Sequence, residues 1–343
     1  MILILSGTTE GRRLAAALSA ARRPFLATTV TTYGSQLLLK NVTQKAARTD
    51  IAANLQPASA QNTLLSTVQN TLLSSEKNFL PSTEETAGTD SVSKVPSDQQ
   101  QGRHLYQQHG NLSATPVEGP AAQLHTGPLN EVALEALLAQ YPITAVVDAT
   151  HPYAQEITRL AAHAAQQHGL PMIRWQRPGL SPDEMENNPH LITCPDPETA
   201  AKGVARRSGR WLLTTGSRSL PVFCRHVPLE RLLVRVMPFP RVIQQCIDLG
   251  LTPGQIIAMQ GPFSRELNRE FLMHTGAAGL VTKDSGDTGG TREKIQAAED
   301  VKVPVILIRR PALPPEMPLA ATLEEVLAWI EKQLPPLFSQ QDC

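Results

Sequence analysis

The sequence predicts an α/β fold: two Rossmann-like parallel-sheet domains with a cleft between them, and a long low-complexity insertion in the first. Three observations predict it. Short apolar runs rich in β-formers alternate with segments of helical periodicity through both halves of the chain, as in parallel sheets covered by helices. Glycines and hydrogen-bonding residues gather where the apolar runs stop, and open α/β sheets bind ligands beyond those ends. A length of 343 residues suits two domains with chain to spare.

Ile2-Leu3-Ile4-Leu5 reads as the first strand, Gly7 and Gly11 follow, and Leu14, Ala15, Leu18 and Ala21 recur at helical spacing until Arg23-Pro24. Phe25 to Thr32 is a β-branched second strand closed by Tyr33-Gly34, and Ser35 to Lys40 opens another helix. The composition then changes: of the 81 residues from Asn41 to Ala121, 33 are Ser, Thr, Gln or Asn, and QNTLLS occurs at Gln61–Ser66 and again at Gln69–Ser74. So polar a stretch buries too little apolar area to offset its ordering entropy, which predicts a disordered insertion over 41–121. A short amphipathic, partner-binding helix built on its leucine pairs is the other reading.

Regular structure resumes at Gln123, with a helix over Glu131–Leu138, a strand over Ile143–Val147, a helix over Ala154–His168 and a strand over Met172–Trp175. Pro178 to Pro197 holds five prolines and two asparagines and reads as a linker. Beyond it, strands over Trp211–Leu213, Leu232–Val236, Ile256–Met259, Gly279–Thr282 and Val303–Ile308 alternate with helices from Ser264, from Thr291 and over Leu323–Ile330. The expected division is 1–178, a linker over 179–197, a second domain over 198–335 and a tail over 336–343.

Composition excludes several functions. Lys plus Arg and Asp plus Glu both number 31, so the net charge is zero where a nucleic-acid binder carries a basic excess, and 4% aromatics leave few platforms for bases. No apolar run approaches the roughly 20 residues of a membrane helix, and the first stops at Ser6 with no basic segment before it, unlike a signal peptide. The expectation is a cytoplasmic protein. Cys194, Cys224, Cys246 and Cys343 form no C-x-x-C, and with no H-E-x-x-H or His/Cys cluster no protein-bound metal is expected.

Three motifs carry the candidate chemistry. Gly7-Thr8-Thr9-Glu10-Gly11 opens a helix after a strand, which suits a phosphate on backbone amides, although a tight turn explains it equally well and Glu10 does not help an anion. Asp148-Ala149-Thr150-His151-Pro152-Tyr153 follows a strand, placing an acid or ligand donor at a sheet edge; helix capping by Asp148 or Thr150 is the plainer alternative. In the second half, Thr214-Thr215-Gly216-Ser217, Gly261-Pro262-Phe263-Ser264 and Lys283–Thr291 each follow a strand and together outline a binding crevice whose amides, with Lys283, suit a carboxylate or phosphate. Arg174, Arg177, Arg218, Arg235, Arg292, Arg309 and Arg310 lie near strand ends, where guanidinium forks suit the same anions.

Taken in order, ILILSGTTEGRRLA, LHTGPLNEVAL, VVDATHPYA, IRWQRP, LLTTGSRSL, LVRVMP, GPFSRELN, LVTKDSGDTGGTREKIQAA and VPVILIRRP resemble the precorrin-6A reductases of cobalamin biosynthesis, over nearly the whole chain outside 41–121. The resemblance implies a hydride transfer from NADPH or NADH to a carbon–carbon double bond of a tetrapyrrole-derived macrocycle, held between two α/β domains by its carboxylates. Any cobalt arrives inside that substrate. The resemblance implies cofactor contacts at Gly7, Thr8, Thr9, Gly11, Thr32, Asp148, Ala149 and Thr150. It implies substrate contacts at Thr215, Gly216, Ser217, Arg218, Gly261, Lys283, Asp284, Ser285, Gly286 and Thr291. His151, Tyr153 and Lys283 are the candidate proton donors, unranked by the sequence, with water as a further source. A methyltransferase binding S-adenosylmethionine at the glycine loop and a non-catalytic nucleotide-binding protein are the rival readings. Oligomeric state is left open by the sequence.

Overall fold

A computed structural model describes residues 1–53, 115–116 and 122–334. Most of the predicted 41–121 insertion, with its QNTLLS repeats, and the predicted 336–343 tail lie outside the described residues. The first half of the chain runs β1 (Ile2–Leu5), α1 (Thr9–Ala20), β2 (Phe25–Thr29), α2 (Thr32–Ala53), β3 (Thr115–Pro116), β4 (Ala122–Thr126), α3 (Glu131–Gln140), β5 (Ala145–Asp148), α4 (Gln155–Gln167) and β6 (Met172–Trp175). The second runs α5 (Pro182–Glu186), β7 (Leu191–Cys194), α6 (Pro197–Ala205), β8 (Arg210–Leu213), α7 (Leu220–His226), β9 (Leu232–Val236), α8 (Pro240–Asp248), β10 (Ile256–Ala258), α9 (Arg265–Thr275), β11 (Ala277–Lys283), α10 (Thr291–Asp300) and β12 (Val305–Ile308), then β13 (Leu319–Ala320) and α11 (Leu323–Gln333).

The first sheet has the order β13-β6-β5-β1-β2-β4-β3, parallel except for the two-residue β3, and the second has the order β10-β9-β8-β11-β12-β7, parallel throughout. β1 is central, so it is buried on both faces and reads as an unbroken apolar run. Its alternation divides the core. Ile2 and Ile4 face Leu14 and Leu18 of α1 and Val326 and Ile330 of α11, whereas Leu3 and Leu5 face Leu134 of α3 and Ala161 of α4. The second sheet is sandwiched likewise, by α6, α7 and α8 on one face and by α9 and α10 on the other.

Three boundaries differ from the sequence reading. α2 continues to Ala53, past the expected start of the insertion at Asn41. The expected linker contains β7, the edge strand of the second sheet, in register with β12; four strand residues enclosed by prolines carry too short a pattern to be read. Finally, β13 and α11, expected in the second domain, return to the first: Leu319 and Ala320 pair with Arg174 and Trp175, and α11 covers the apolar face beneath α1.

Candidate active site

Chain order reverses direction at two places. β1 is followed by β2 on one side and flanked by β5 on the other; β8 is likewise followed by β9 and flanked by β11. Connections leave such strand pairs in opposite directions and open a crevice at their carboxyl ends. The loops at these crevices are the predicted ones: Ser6–Thr8 and Ala149–Ala154 in the first sheet, Thr214–Ser217 and Asp284–Gly290 in the second.

In the first crevice, Gly7 has φ +135°, a conformation that L side chains rarely adopt, with nothing near the position of its missing Cβ. Gly11 serves a different purpose. A Cβ there would stand 2.3 Å from Ser6 Oγ and 3.0 Å from Ser6 Cα, so its bareness lets α1 pack on the loop. Thr8 caps α1, accepting from Gly11 N–H (3.4 Å) and donating to the Ala149 carbonyl (2.7 Å). Ala149 N–H donates to Leu5 (2.9 Å). The Thr8 hydroxyl and Ala149 therefore join the two loops to each other. Thr9 accepts from Arg12 (2.9 Å), and Thr32 is exposed at the start of α2.

Asp148 is corrected from cofactor ligand to buried organiser. Its side chain is 0% exposed, and it accepts from Thr150 N–H (2.9 Å), Thr150 Oγ1 (2.6 Å), Thr158 Oγ1 (2.7 Å) and Arg174. Arg174, only 1% exposed, is its cross-strand neighbour on β6 and also donates to the His151 carbonyl (3.2 Å). A buried pair so fully hydrogen-bonded sets the shape of the 148–153 turn.

Tyr153 reaches from that turn into the second sheet, where it packs on the core. Its hydroxyl donates to the Ile308 carbonyl (2.5 Å) and accepts from Asp284 N–H (2.8 Å). Burial, then the neighbouring Asp284 charge, raises its pKa beyond the ordinary tyrosine range. His151 lies beside the Tyr153 ring, centroids 5.7 Å apart, and its Nδ1 accepts from Tyr153 N–H (3.3 Å). It is exposed to solvent, yet the protein around it partly desolvates it and Arg177 and Lys283 repel its charge, so its pKa falls to about 4. His151 is neutral at pH 7.

Lys283 ends β11 with Nζ 5.1 Å from the Tyr153 ring centroid, a cation–π distance. Burial and then the Arg218 charge lower its pKa. Among the described residues, neither Lys283 nor the exposed Arg218 has an acidic partner or a side-chain hydrogen bond.

The 284–291 loop, expected to contact substrate, makes hydrogen bonds within itself. Ser285 N–H donates to the Lys283 carbonyl (2.8 Å) and Thr291 Oγ1 (3.0 Å), Gly286 N–H to Asp284 Oδ1 (3.3 Å) and Thr291 N–H to the Gly286 carbonyl (3.3 Å). Those amides bind the loop to itself. Asp284 in turn holds Arg310 (3.1 Å). Thr215 accepts from Ser219 (2.7 Å) and is also taken up locally.

The arginines divide in the same way. Arg177 binds Glu10 (2.7 Å) and the Ser285 carbonyl (2.7 Å), and Arg310 binds the Arg177 carbonyl (2.7 Å). Thr288 adds a bond to Glu10 (3.3 Å). Glu10, 7% exposed, thus ties the first sheet to the loop of the second. Burial opposes its ionisation, but the Arg177 guanidinium outweighs that and holds its pKa low. Arg235 is buried against Phe263, 4.3 Å from the ring centroid, and donates to Asn268 (2.7 Å); Arg292 pairs with Glu184 and Asp287. Of the seven arginines singled out in the sequence, Arg218 and Arg309 have no side-chain bond among the described residues. The ties through Glu10, Arg177 and Arg310 escaped the sequence reading; their one signal was a glutamate where an anion-binding loop has no use for one. A second bridge was invisible there: Tyr33 donates to Gln260 (3.0 Å) and sits edge-on to Phe239, 5.7 Å between centroids.

Among the described residues, no group of three or more His, Cys, Asp or Glu side chains is placed to hold a metal, and no helix is long and apolar enough to cross a membrane.

Residues 94–331 match the family described as Precorrin-6x reductase CbiJ/CobK. The chain belongs to this reductase family. Membership brings the oxidoreductase class and the setting of cobalamin biosynthesis. The cobalt-precorrin-6A reductase of Salmonella typhimurium is 38% identical over 59% of this chain and 75% of its own length. That of Methanothermobacter thermautotrophicus is 35% identical over 56% of this chain and 62% of its own, so the match spans less than two thirds of that relative. The solved structure titled CobK precorrin-6A reductase superposes with a TM-score of 0.58 at 20% identity, covering 97% of this chain and 96% of that one, and shows that the reductase fold is shared.

Proposed function

We propose that this chain reduces one carbon–carbon double bond of the precorrin-6A macrocycle, with or without cobalt in it, using NADPH or NADH. The observation that carries the proposal is the meeting of two crevices. Residues from the carboxyl ends of the two sheets touch, Tyr153 with Asp284 and Ile308 and Glu10 with Arg177, which also holds the Ser285 carbonyl; Lys283 lies beside Tyr153 with Arg218 near it, and among the described residues neither has a carboxylate partner. Buried or crowded cations without partners suit an anionic ligand, and a macrocycle bearing many acetate and propionate groups supplies those charges.

The first crevice fits a dinucleotide. Gly7 leaves room for a close backbone approach, the Thr9 and Glu10 amides open α1 with no partner inside the helix, and the buried Ser6 hydroxyl has no hydrogen-bond partner among the described residues. Gly7, Thr9 and the first turn of α1 would hold the pyrophosphate. When bound, the nicotinamide supplies the hydride. The chain's own residues do the rest. Lys283 and Arg218 anchor and orient the macrocycle, while Tyr153, Glu10, Arg177 and Arg310 hold the lobes at a fixed spacing around it.

The test is anaerobic incubation of the full chain with precorrin-6A, cobalt-free and cobalt-loaded, following reduced-nicotinamide absorbance. Oxidation in step with formation of the dihydro macrocycle is expected. Methyl transfer from S-adenosylmethionine with no nicotinamide oxidation, or nucleotide binding with no turnover, would replace this reading with one of its rivals.

A further inference from the structure

Adding a hydride to one carbon of a conjugated double bond requires a proton at the other. Three side chains of suitable type surround the cleft, and the structure separates them. The Tyr153 proton is committed to the Ile308 carbonyl at 2.5 Å, and the same oxygen receives Asp284 N–H at 2.8 Å. That hydroxyl joins two lobes, and losing its proton would set a phenolate against a carbonyl oxygen. His151 accepts Tyr153 N–H at Nδ1, which leaves its single proton on Nε2 of a neutral ring, a poor acid.

Lys283 differs in every respect. Its backbone is fixed: β11 pairs Lys283 with Ile308 of β12, and the Lys283 carbonyl accepts from Ser285 N–H (2.8 Å) and Thr291 Oγ1 (3.3 Å). Among the described residues its ammonium has no acceptor and no acidic partner, and it stands over the face of Tyr153. We propose that Lys283 is the proton donor of the reduction and Arg218 the carboxylate anchor beside it. This rests on the reading under Proposed function. The pair divides the work by chemistry: a guanidinium stays charged at any working pH, whereas an ammonium can release its proton.

In the step, an N–H bond of Lys283 breaks and its electron pair stays on nitrogen. A C–H bond forms at the carbon next to the one that received the hydride. The neutral amine regains a proton from solvent once product leaves, so the atoms and charges balance. Of the groups facing Lys283, the Arg218 charge from the loop after β8 favours release, whereas the Tyr153 ring holds the ammonium by its cation–π contact and His151, from the same loop after β5, is neutral. Asp284, its chain neighbour, is held by Arg310. The acid form is the active one, so the chemical step slows as pH rises through the lowered Lys283 pKa.

The experiment is single-turnover oxidation of reduced nicotinamide by the full chain with saturating precorrin-6A, for the wild type, Lys283→Arg and Lys283→Ala, with macrocycle binding measured in parallel. Lys283→Arg keeps the charge and loses the transferable proton. It is expected to bind the macrocycle within about threefold of wild type and to slow the chemical step by roughly 10²–10⁴-fold, the span of general acid catalysis. Lys283→Ala is expected to regain turnover with added methylamine or ethylamine and not with guanidine. A full-rate Lys283→Arg protein, or rescue by guanidine as good as by amines, would reduce Lys283 to an anchor and overturn the assignment alone. A wild type that leaves reduced nicotinamide untouched would overturn the reduction and the donor together.

Discussion

Replacing Tyr153 by Phe removes one oxygen from the join between the lobes and tests whether that hydroxyl holds structure or does chemistry. Two hydrogen bonds disappear, to the Ile308 carbonyl (2.5 Å) and from Asp284 N–H (2.8 Å). Neither partner is orphaned, because Asp284 N–H also donates to the Ile308 carbonyl at 3.1 Å. The loss is then the net worth of the bonds, about 1–2 kcal/mol, without the larger penalty of a stranded buried group. The ring stays on the core of the second sheet and under the Lys283 ammonium. Urea unfolding followed by tryptophan fluorescence reads both lobes, since Trp175 lies in the core of the first sheet and Trp211 in that of the second. The unfolding midpoint should fall while the single-turnover rate stays within about threefold of wild type. An unchanged midpoint with a hundredfold loss of rate would refute this reasoning and return Tyr153 to the chemistry.

Further outcomes are expected elsewhere. Asp148→Ala strands the buried Arg174 guanidinium and should destabilise by about 3–5 kcal/mol, with Asp148→Ala/Arg174→Met recovering much of it; additive losses in urea would show the pair uncoupled. Gly11→Ala drives a Cβ into Ser6 and should cost about 1–3 kcal/mol with no nicotinamide present, whereas Gly7→Ala should chiefly weaken nicotinamide binding; thermal melts and a nicotinamide titration of both variants decide. His151 should titrate near pH 4 in an imidazole NMR experiment, against 6.5 for a free ring. The unfolded state then binds more protons between those values, stability rises with pH across that window, and His151→Phe should flatten the rise. Lys294, buried and donating to the Gly289 carbonyl (2.6 Å), has its pKa brought down from 10.5 to about 7, by burial first and Arg235 next. Stability should therefore climb from about pH 7 towards about pH 10 as the folded state escapes a buried charge, and Lys294→Met should remove the climb; an unaltered pH slope of the urea midpoint would contradict it.

What was legible in the sequence is what the chain writes locally. Ile2–Leu5 before Gly7, and the apolar run ending at Asp148, announce strands, loops and the crevice beyond them, because period and punctuation act over a few residues. The roles of the polar residues at that crevice were not legible, since each depends on a partner far along the chain. Asp148 looks like a ligand until Arg174, 26 residues on, occupies it. Thr8 looks like a phosphate donor until the carbonyl of Ala149 is seen, 141 residues away. Glu10 looked out of place only because Arg177 and Thr288 could not be set beside it. The short strands β7 and β13 failed for a different reason. Each is defined by its neighbour's hydrogen bonds more than by its own residues, and prolines close by break any pattern.

The return of β13 and α11 to the first sheet has a consequence for how the molecule is made. Trp175 is covered by Ala320, Val326 and Ile330, residues that leave the ribosome about 145 positions after it. At roughly 5–20 residues per second, the first sheet waits on the order of 10–30 s with one edge unpaired and an apolar face bare, while the whole second lobe is synthesised and can fold. The order of completion is thus inverted: the lobe begun second closes first, and the lobe begun first is sealed only afterwards. A stalled or truncated chain that stops short of residue 319 should therefore expose its first half to chaperones and proteases while its second half is already native.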